Sequence, residues 1–173
     1  KQFLMKHAHK PSERCKATVV FLGNRLQKIG KTLAVAESCT GGLILDCLTD
    51  FPGCSEYILG GVVAYAEISK KRLIGVSLKL IEKEGVVSEA VAKSMAEGAR
   101  KTFKSDVAIS TTGFAGPSGG TKENPVGTVW IGFADHNGSV ARRFKFGKER
   151  KKNKELATLA ALQYLKKNLT KKE

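Results

Sequence analysis

Ser38 is the residue of this 173-residue chain best placed to do chemistry. It lies in Ala36-Glu37-Ser38-Cys39-Thr40-Gly41-Gly42, between an apolar run at 32–36 that reads as a short buried strand and residues 43–48, which read as one face of a helix. A hydroxyl at a strand end, followed by free backbone N–H groups of Thr40, Gly41 and Gly42, suits acyl chemistry. Such groups stabilise an oxyanion or bind an anion, and two glycines leave room for a ligand. The plainer alternative is an N-cap serine at an ordinary strand-to-helix junction.

A serine hydroxyl is a poor nucleophile until a base takes its proton, and the usual base is histidine. The histidines here are His7, His9 and His136, two in a charged N-terminal tail and one in an expected hairpin turn, so a Ser-His-Asp arrangement is disfavoured. Lysine is the other choice, because an ammonium in a desolvated pocket loses affinity for its proton. Lys70 follows Tyr65 by five residues across a strand-to-helix turn, where Tyr65 is expected to hydrogen-bond the serine and lysine and help pass the proton. A surface lysine on a lysine-rich helix would look the same. A third segment, residues 112–121, holds Gly113, Gly116, Gly119, Gly120, Pro117, Ser118 and Thr121, a loop whose backbone can approach a ligand closely. It matches neither the P-loop nor G-x-G-x-x-G, which disfavours an ATPase or a dinucleotide dehydrogenase.

These residues need a frame. Helical spacing predicts a helix over 18–29 stopped by Gly30, strand 32–36, a helix opening at Thr40, strand 57–65, a helical turn at 70–74 and a long amphipathic helix from Ser88 to about Lys104. Strand 107–111, a hairpin of 127–134 and 140–146 around Asn137-Gly138, and a basic helix over 148–167 complete the chain. Five strands with interspersed helices predict an α/β fold, a three-layer αβα sandwich around a mixed, mostly parallel sheet. Such sheets bind ligands beyond the carboxyl ends of their strands, where all three suspicious segments fall.

The length is that of one domain, expected at 17–167 between a basic extension at 1–16 and a basic tail at 168–173. Of the formal net charge of +14, residues 17–141 carry thirteen Lys/Arg against twelve Asp/Glu, so the excess belongs to the ends. Contact with nucleic acid is thus confined to those termini, and a solvated lysine face explains them more simply. No apolar run reaches the roughly 18 residues of a membrane span. No secretory signal is evident. The start without Met suggests a trimmed chain or a piece of a longer one. The four cysteines lack metal-ligand spacing, so no metal is expected and a reducing cytoplasm fits best.

Taken together, residues 33–42, Gly60-Gly61-Val62-Val63-Ala64-Tyr65, residues 112–121 and Pro125-Val126-Gly127-Thr128-Val129-Trp130 closely resemble the CinA C-terminal family, the nicotinamide mononucleotide deamidases also called PncC. The likeness spans about residues 17–165. It implies hydrolysis of the carboxamide of nicotinamide mononucleotide to nicotinic acid mononucleotide and ammonia, without metal or cofactor, in bacterial pyridine nucleotide recycling. It also implies symmetric homo-oligomers, and members that occur alone or behind an N-terminal molybdopterin-binding-like domain. By position, the family's nucleophile falls on Ser38, its tyrosine on Tyr65, its lysine on Lys70 and its pocket threonine on Thr112. Its phosphate-directed arginine falls on Arg150 after a one-residue insertion, with Lys154 as a substitute. The glycine-rich segments place Thr40, Gly41, Gly42, Gly113 and Gly116 at the substrate. One departure stands out: where the family commonly has a small polar residue and Asn, this chain has Ala66 and Glu67, a carboxylate that either pairs with Lys70 and weakens the base or points elsewhere. A nucleotide-binding or interaction module linked to DNA uptake or repair is the alternative without chemistry. A hydrolase of the glycosidic bond is disfavoured because Glu37 and Glu67 are the only acids near the motifs.

Overall fold

A computed structural model describes residues 13–170. Five strands form one sheet in the order β2-β1-β3-β4-β5. They are β1 (Leu33–Glu37), β2 (Ile58–Val63), β3 (Val107–Gly113), β4 (Thr128–Asp135) and β5 (Gly138–Lys145). β1 pairs in parallel with β2 and β3, while β4 runs antiparallel to both β3 and β5. Four strands therefore point one way and β4 alone reverses, which is the mixed, mostly parallel sheet expected.

Helices cover both faces, and the pleat of β1 shows why. Leu33 and Val35 point into a cluster shared with α1 (Glu13–Ile29), α2 (Leu43–Thr49) and α6 (Arg150–Thr170). Ala34 and Ala36, on the alternate side, meet α3 (Glu67–Ile74), α4 (Leu78–Glu84) and α5 (Glu89–Phe103). A strand buried on both faces reads as a continuous apolar run, and β1 is buried throughout. Small residues on the second face let α5 lie close. A Cβ at Gly132 would stand 2.3 Å from the Ala92 carbonyl oxygen, so only glycine fits where α5 crosses β4.

Local signals set most helix ends. Ser88 caps α5 by accepting the Val91 N–H at 3.3 Å, and Gly30, at φ 61°, ends α1. The helix expected to open at Thr40 begins instead at Leu43, because Gly41 and Gly42 take φ of 63° and 100° and make a turn first. α4 has no counterpart in the sequence reading, and α3 starts earlier than its expected turn, at Glu67. The hairpin turn falls on His136-Asn137, with the Asn137 N–H donating to the Asp135 carboxylate at 2.8 Å. α1 takes in residues 13–16 and α6 takes in 168–170. The remaining residues of the expected basic ends, 1–12 and 171–173 with His7 and His9, lie outside the described residues. Among the described residues no helix is long and apolar enough to cross a membrane.

Candidate active site

Ser38 leaves the carboxyl end of β1, and β1 sits between β2 and β3, so the loops after all three strands meet above it. The chain after β2 turns through Ala64 and Tyr65 into α3, which returns Lys70 toward the sheet. The Lys70 amine lies 3.1 Å from Ser38 Oγ, 2.8 Å from the Ala64 carbonyl oxygen and 3.0 Å from the Tyr65 carbonyl oxygen. Lys70 is only 1% exposed. That burial pulls its pKa below the ordinary lysine value, while Cys39 and then Glu67 act in the opposite direction. The adjacent Lys71 is exposed.

The three neighbours of this nitrogen restrict what it can do. Two are carbonyl oxygens, which only accept, so each must meet an N–H. The third position, facing the hydroxyl, then carries either the last N–H of an ammonium or the lone pair of a neutral amine. In the neutral form the lone pair is aimed at Ser38, where a base for that hydroxyl must be. Glu67 is exposed, and none of the three contacts of the Lys70 amine involves it.

Cys39, beside the serine and itself facing the cavity, is no rival nucleophile. Burial, chiefly, pushes its thiol up to about 12, which leaves almost no thiolate near neutral pH.

A cavity of about 180 Å³ opens over the pair, lined by Ser38, Cys39, Tyr65, Lys70, Val86, Val87, the 112–116 segment, Ser118 and Arg150. The expected residues Thr112, Gly113, Gly116 and Arg150 thus converge on Ser38. Thr112 does so through a structural tie, its hydroxyl donating to the Val86 carbonyl oxygen at 2.7 Å and drawing the 85–88 loop against β3. Asn153 secures the opposite wall, donating to the carbonyl oxygens of Ala115 at 2.9 Å and Gly147 at 3.0 Å. Gly116 has φ 89°, and a Cβ there would lie 2.6 Å from the Val126 side chain, so this close turn requires glycine. Arg150 donates to the Gly116 carbonyl oxygen at 2.8 Å and to the Tyr65 hydroxyl at 2.6 Å. The hydroxyl of Tyr65 therefore goes to Arg150, while its backbone carbonyl serves Lys70. The expected hydroxyl bond to Ser38 or Lys70 is not the one formed.

The start of α2 differs from its reading as a free anion site. The buried Glu37 carboxylate already accepts the N–H groups of Gly42 at 2.9 Å, Ile44 at 3.2 Å and Leu45 at 3.0 Å. The Gly41 N–H donates to the Ser38 carbonyl oxygen at 3.1 Å. Two of the three expected oxyanion donors are thus committed, leaving the N–H of Thr40. Thr40, Gly41 and Gly42 do not line the cavity, and the Thr40 hydroxyl is buried 2.9 Å from that of Thr111. Lys154 lies across this turn, its amine 3.2 Å from where a Cβ on Gly41 would be. Sequence reasoning missed Glu37 and Asn153. The signal for Glu37 was present, since a carboxylate inside a wholly apolar strand must find donors, and the next helix start offers them.

His136 lies at the β4–β5 turn, at the other end of the sheet from Ser38. Among the described residues no group of three or more His, Cys, Asp or Glu could hold a metal ion.

Known proteins are similar to this chain over most of its length. A CinA-like protein of Salinibacter ruber is 50% identical over 149 residues, 86% of this chain and 36% of its own length. A putative competence-damage inducible protein of Halothermothrix orenii is 47% identical over 145 residues, covering 83% of this chain and 35% of its own. The chain therefore spans about a third of the length of these curated relatives. Among solved structures, the competence/damage inducible protein CihA from Agrobacterium tumefaciens superposes with a TM-score of 0.87 at 31% identity, over 91% of this chain and 96% of its own. A competence-damaged protein (CinA) superfamily protein from Escherichia coli gives 0.86 at 30% identity, over 89% and 90%. The sequence model of the CinA C-terminal domain matches residues 16–169, and the chain belongs to that family.

Proposed function

We propose that this domain hydrolyses the carboxamide of nicotinamide mononucleotide to nicotinic acid mononucleotide and ammonia through a serine acyl-enzyme. The observation that carries this reading is the 3.1 Å approach of a desolvated lysine amine to Ser38 Oγ. Neutral Lys70 takes the hydroxyl proton as Ser38 attacks the carboxamide carbon. The tetrahedral intermediate then collapses as the lysine ammonium returns the proton to the departing nitrogen, which leaves as ammonia. Water enters the vacated place, gives a proton to Lys70, attacks the ester and releases the acid and the serine hydroxyl. Throughout, the Ala64 and Tyr65 carbonyl oxygens hold the lysine nitrogen in place, so only its third position changes between lone pair and N–H.

The cavity suits a flat ring more than a whole nucleotide, which leaves the ribose and phosphate toward the rim and Arg150. A pyridinium ring beside Lys70 carries a positive charge and would further disfavour the ammonium, so the substrate itself would sharpen the base. The domain would act in pyridine nucleotide recycling in the cytoplasm.

Incubating purified protein with nicotinamide mononucleotide and with free nicotinamide, and scoring ammonia and both organic products, tests this directly. Ammonia and nicotinic acid mononucleotide from the nucleotide alone are expected. Release of free nicotinamide would assign cleavage of the glycosidic bond instead, and binding without any product would leave a nucleotide-binding module.

A further inference from the structure

One base has to serve both halves of the proposed reaction. Among the described residues that line the cavity over Ser38, Lys70 alone can take up a proton near neutral pH, since no histidine, aspartate or glutamate borders it. Arg150 keeps its proton, and the Tyr65 hydroxyl oxygen already accepts from it at 2.6 Å. Burial, chiefly, holds the Cys39 thiol protonated, with its pKa pushed up to about 12. The buried Glu37 carboxylate lies outside the lining and is occupied by the N–H groups of Gly42, Ile44 and Leu45.

Lys70 in turn has one working side. Its nitrogen is tied to the carbonyl oxygens of Ala64 at 2.8 Å and Tyr65 at 3.0 Å, which leaves the side that faces Ser38 Oγ, 3.1 Å away. The proton that departs with ammonia is given from that side, and the proton of the nucleophile that frees the acyl group returns to it. Leaving group and incoming nucleophile therefore use one place in opposite directions. A second base could keep a water of its own and turn amines away. Here nothing beside the acyl carbon separates water from a small nitrogen nucleophile, and the place has just held a nitrogen.

We infer that the domain is also an acyltransferase, passing the acyl group of Ser38 to small uncharged nitrogen nucleophiles as well as to water. This rests on the serine acyl-enzyme of the proposed function and extends it to a second class of acceptor. With hydroxylamine, the nitrogen attacks the ester carbon and gives a proton to Lys70. A C–N bond forms, the bond from that carbon to Ser38 Oγ breaks, and Lys70 returns the proton to the serine oxygen. The products are the hydroxamic acid of nicotinic acid mononucleotide and the free serine, with no water consumed. Charge and size select the acceptor. An ammonium has no lone pair to offer and meets the Arg150 cation, whereas hydroxylamine is largely uncharged at neutral pH. A cavity of about 180 Å³ that holds a flat ring has room beside it for a group the size of ammonia or hydroxylamine, and not for a bulky amine.

The test incubates purified protein with nicotinamide mononucleotide and increasing hydroxylamine, and measures ammonia, acid and hydroxamate. Hydroxamate should rise in proportion to hydroxylamine, roughly tenfold or more above a Ser38→Ala control, while the share of acid falls and the two together equal the ammonia released. The methyl ester of nicotinic acid mononucleotide enters the same acyl-enzyme and should give the same ratio of hydroxamate to acid. O-benzylhydroxylamine, equally uncharged but bulky, should give no adduct. Ammonia and acid without hydroxamate would leave the deamidase reading standing and overturn the transferase. A ratio that depends on the leaving group, or an adduct with O-benzylhydroxylamine, would overturn it too. Neither ammonia nor hydroxamate would overturn both.

Discussion

The two ends of the sheet offer unequal cavities, and the smaller one holds the candidate nucleophile and base. At the amino end of β3 and around the β4–β5 turn, a cavity of about 580 Å³ is lined by Arg25, Asp135, His136 and the end of α6 among others. At the carboxyl ends of β1, β2 and β3, about 180 Å³ covers Ser38 and Lys70. The larger cavity contains the one histidine among the described residues, and two of its polar side chains are tied to the fold. Arg25 Nε donates to the Leu169 carbonyl oxygen at 3.1 Å, and the Asp135 carboxylate accepts the Asn137 N–H of its own turn. In the smaller cavity a desolvated amine meets a hydroxyl at the end of a buried strand. Volume shows where something can fit, whereas the pairing of a nucleophile with a group able to lose its proton shows where a bond can be broken.

The largest expected effects separate the two ends outright. Ser38→Ala should lower ammonia release by several orders of magnitude, whereas His136→Ala at the larger cavity should change it less than twofold. A comparable loss from His136→Ala would dissolve the comparison. Next in size is Glu37, whose carboxylate gathers three N–H groups behind the nucleophile. Glu37→Ala should cost roughly 3 kcal/mol of stability, because buried donors lose a charged acceptor. Chemical denaturation checks it, and a loss under 1 kcal/mol would mean that α2 does not depend on this clamp.

Lys70 allows a smaller test that couples stability to pH. Its pKa is lower folded than unfolded, so the unfolded chain holds the proton more firmly and the buried ammonium opposes folding. This cost is fully present below the folded pKa, shrinks as pH rises through the window between the two values, and disappears above the unfolded value near 10.5. Lys70→Met, of similar length and without charge, should therefore be inactive yet melt no lower than the unaltered protein at pH 7, with the difference narrowing toward pH 10 or so. A Lys70→Met protein that melts well below the parent at neutral pH would show that the amine stabilises the fold. Smallest is Glu67→Gln. Glu67 raises the pKa of Lys70, so removing its charge should move the rising limb of the pH–rate profile slightly toward acid. A shift toward alkali would give Glu67 a different role.

Much of this site was legible in the order of residues. An apolar strand ending in Glu37-Ser38, the absence of a suitably placed histidine and a lysine five residues beyond Tyr65 led to the serine and the lysine beside it, and the glycine-rich loop led to the cavity wall. The sheet followed from the spacing of its apolar runs, and Asn137-Gly138 marked the hairpin to within a residue. Direction of side chains was less legible. Nothing in the spacing says that the tyrosine ring turns outward to an arginine 85 residues away while its carbonyl turns inward. That choice depends on where α6 begins, which only tertiary packing sets. The helix start at Leu43 was lost for a local reason, since glycines can begin a helix or delay it and positive φ decides between them. The two glycines were read as offering free N–H groups to an anion, but Glu37 takes that of Gly42 and the Ser38 carbonyl oxygen takes that of Gly41.

The central claim is that an uncharged Lys70 removes the proton of Ser38, and Lys70→Arg tests it most directly. Arginine retains charge and hydrogen-bonding capacity but does not give up its proton in this range. The kcat/KM for ammonia release from nicotinamide mononucleotide, measured across pH, should rise in the unaltered protein along a limb below the ordinary lysine value and vanish at every pH in Lys70→Arg. Turnover by Lys70→Arg within tenfold of the parent, with the same limb, would contradict it.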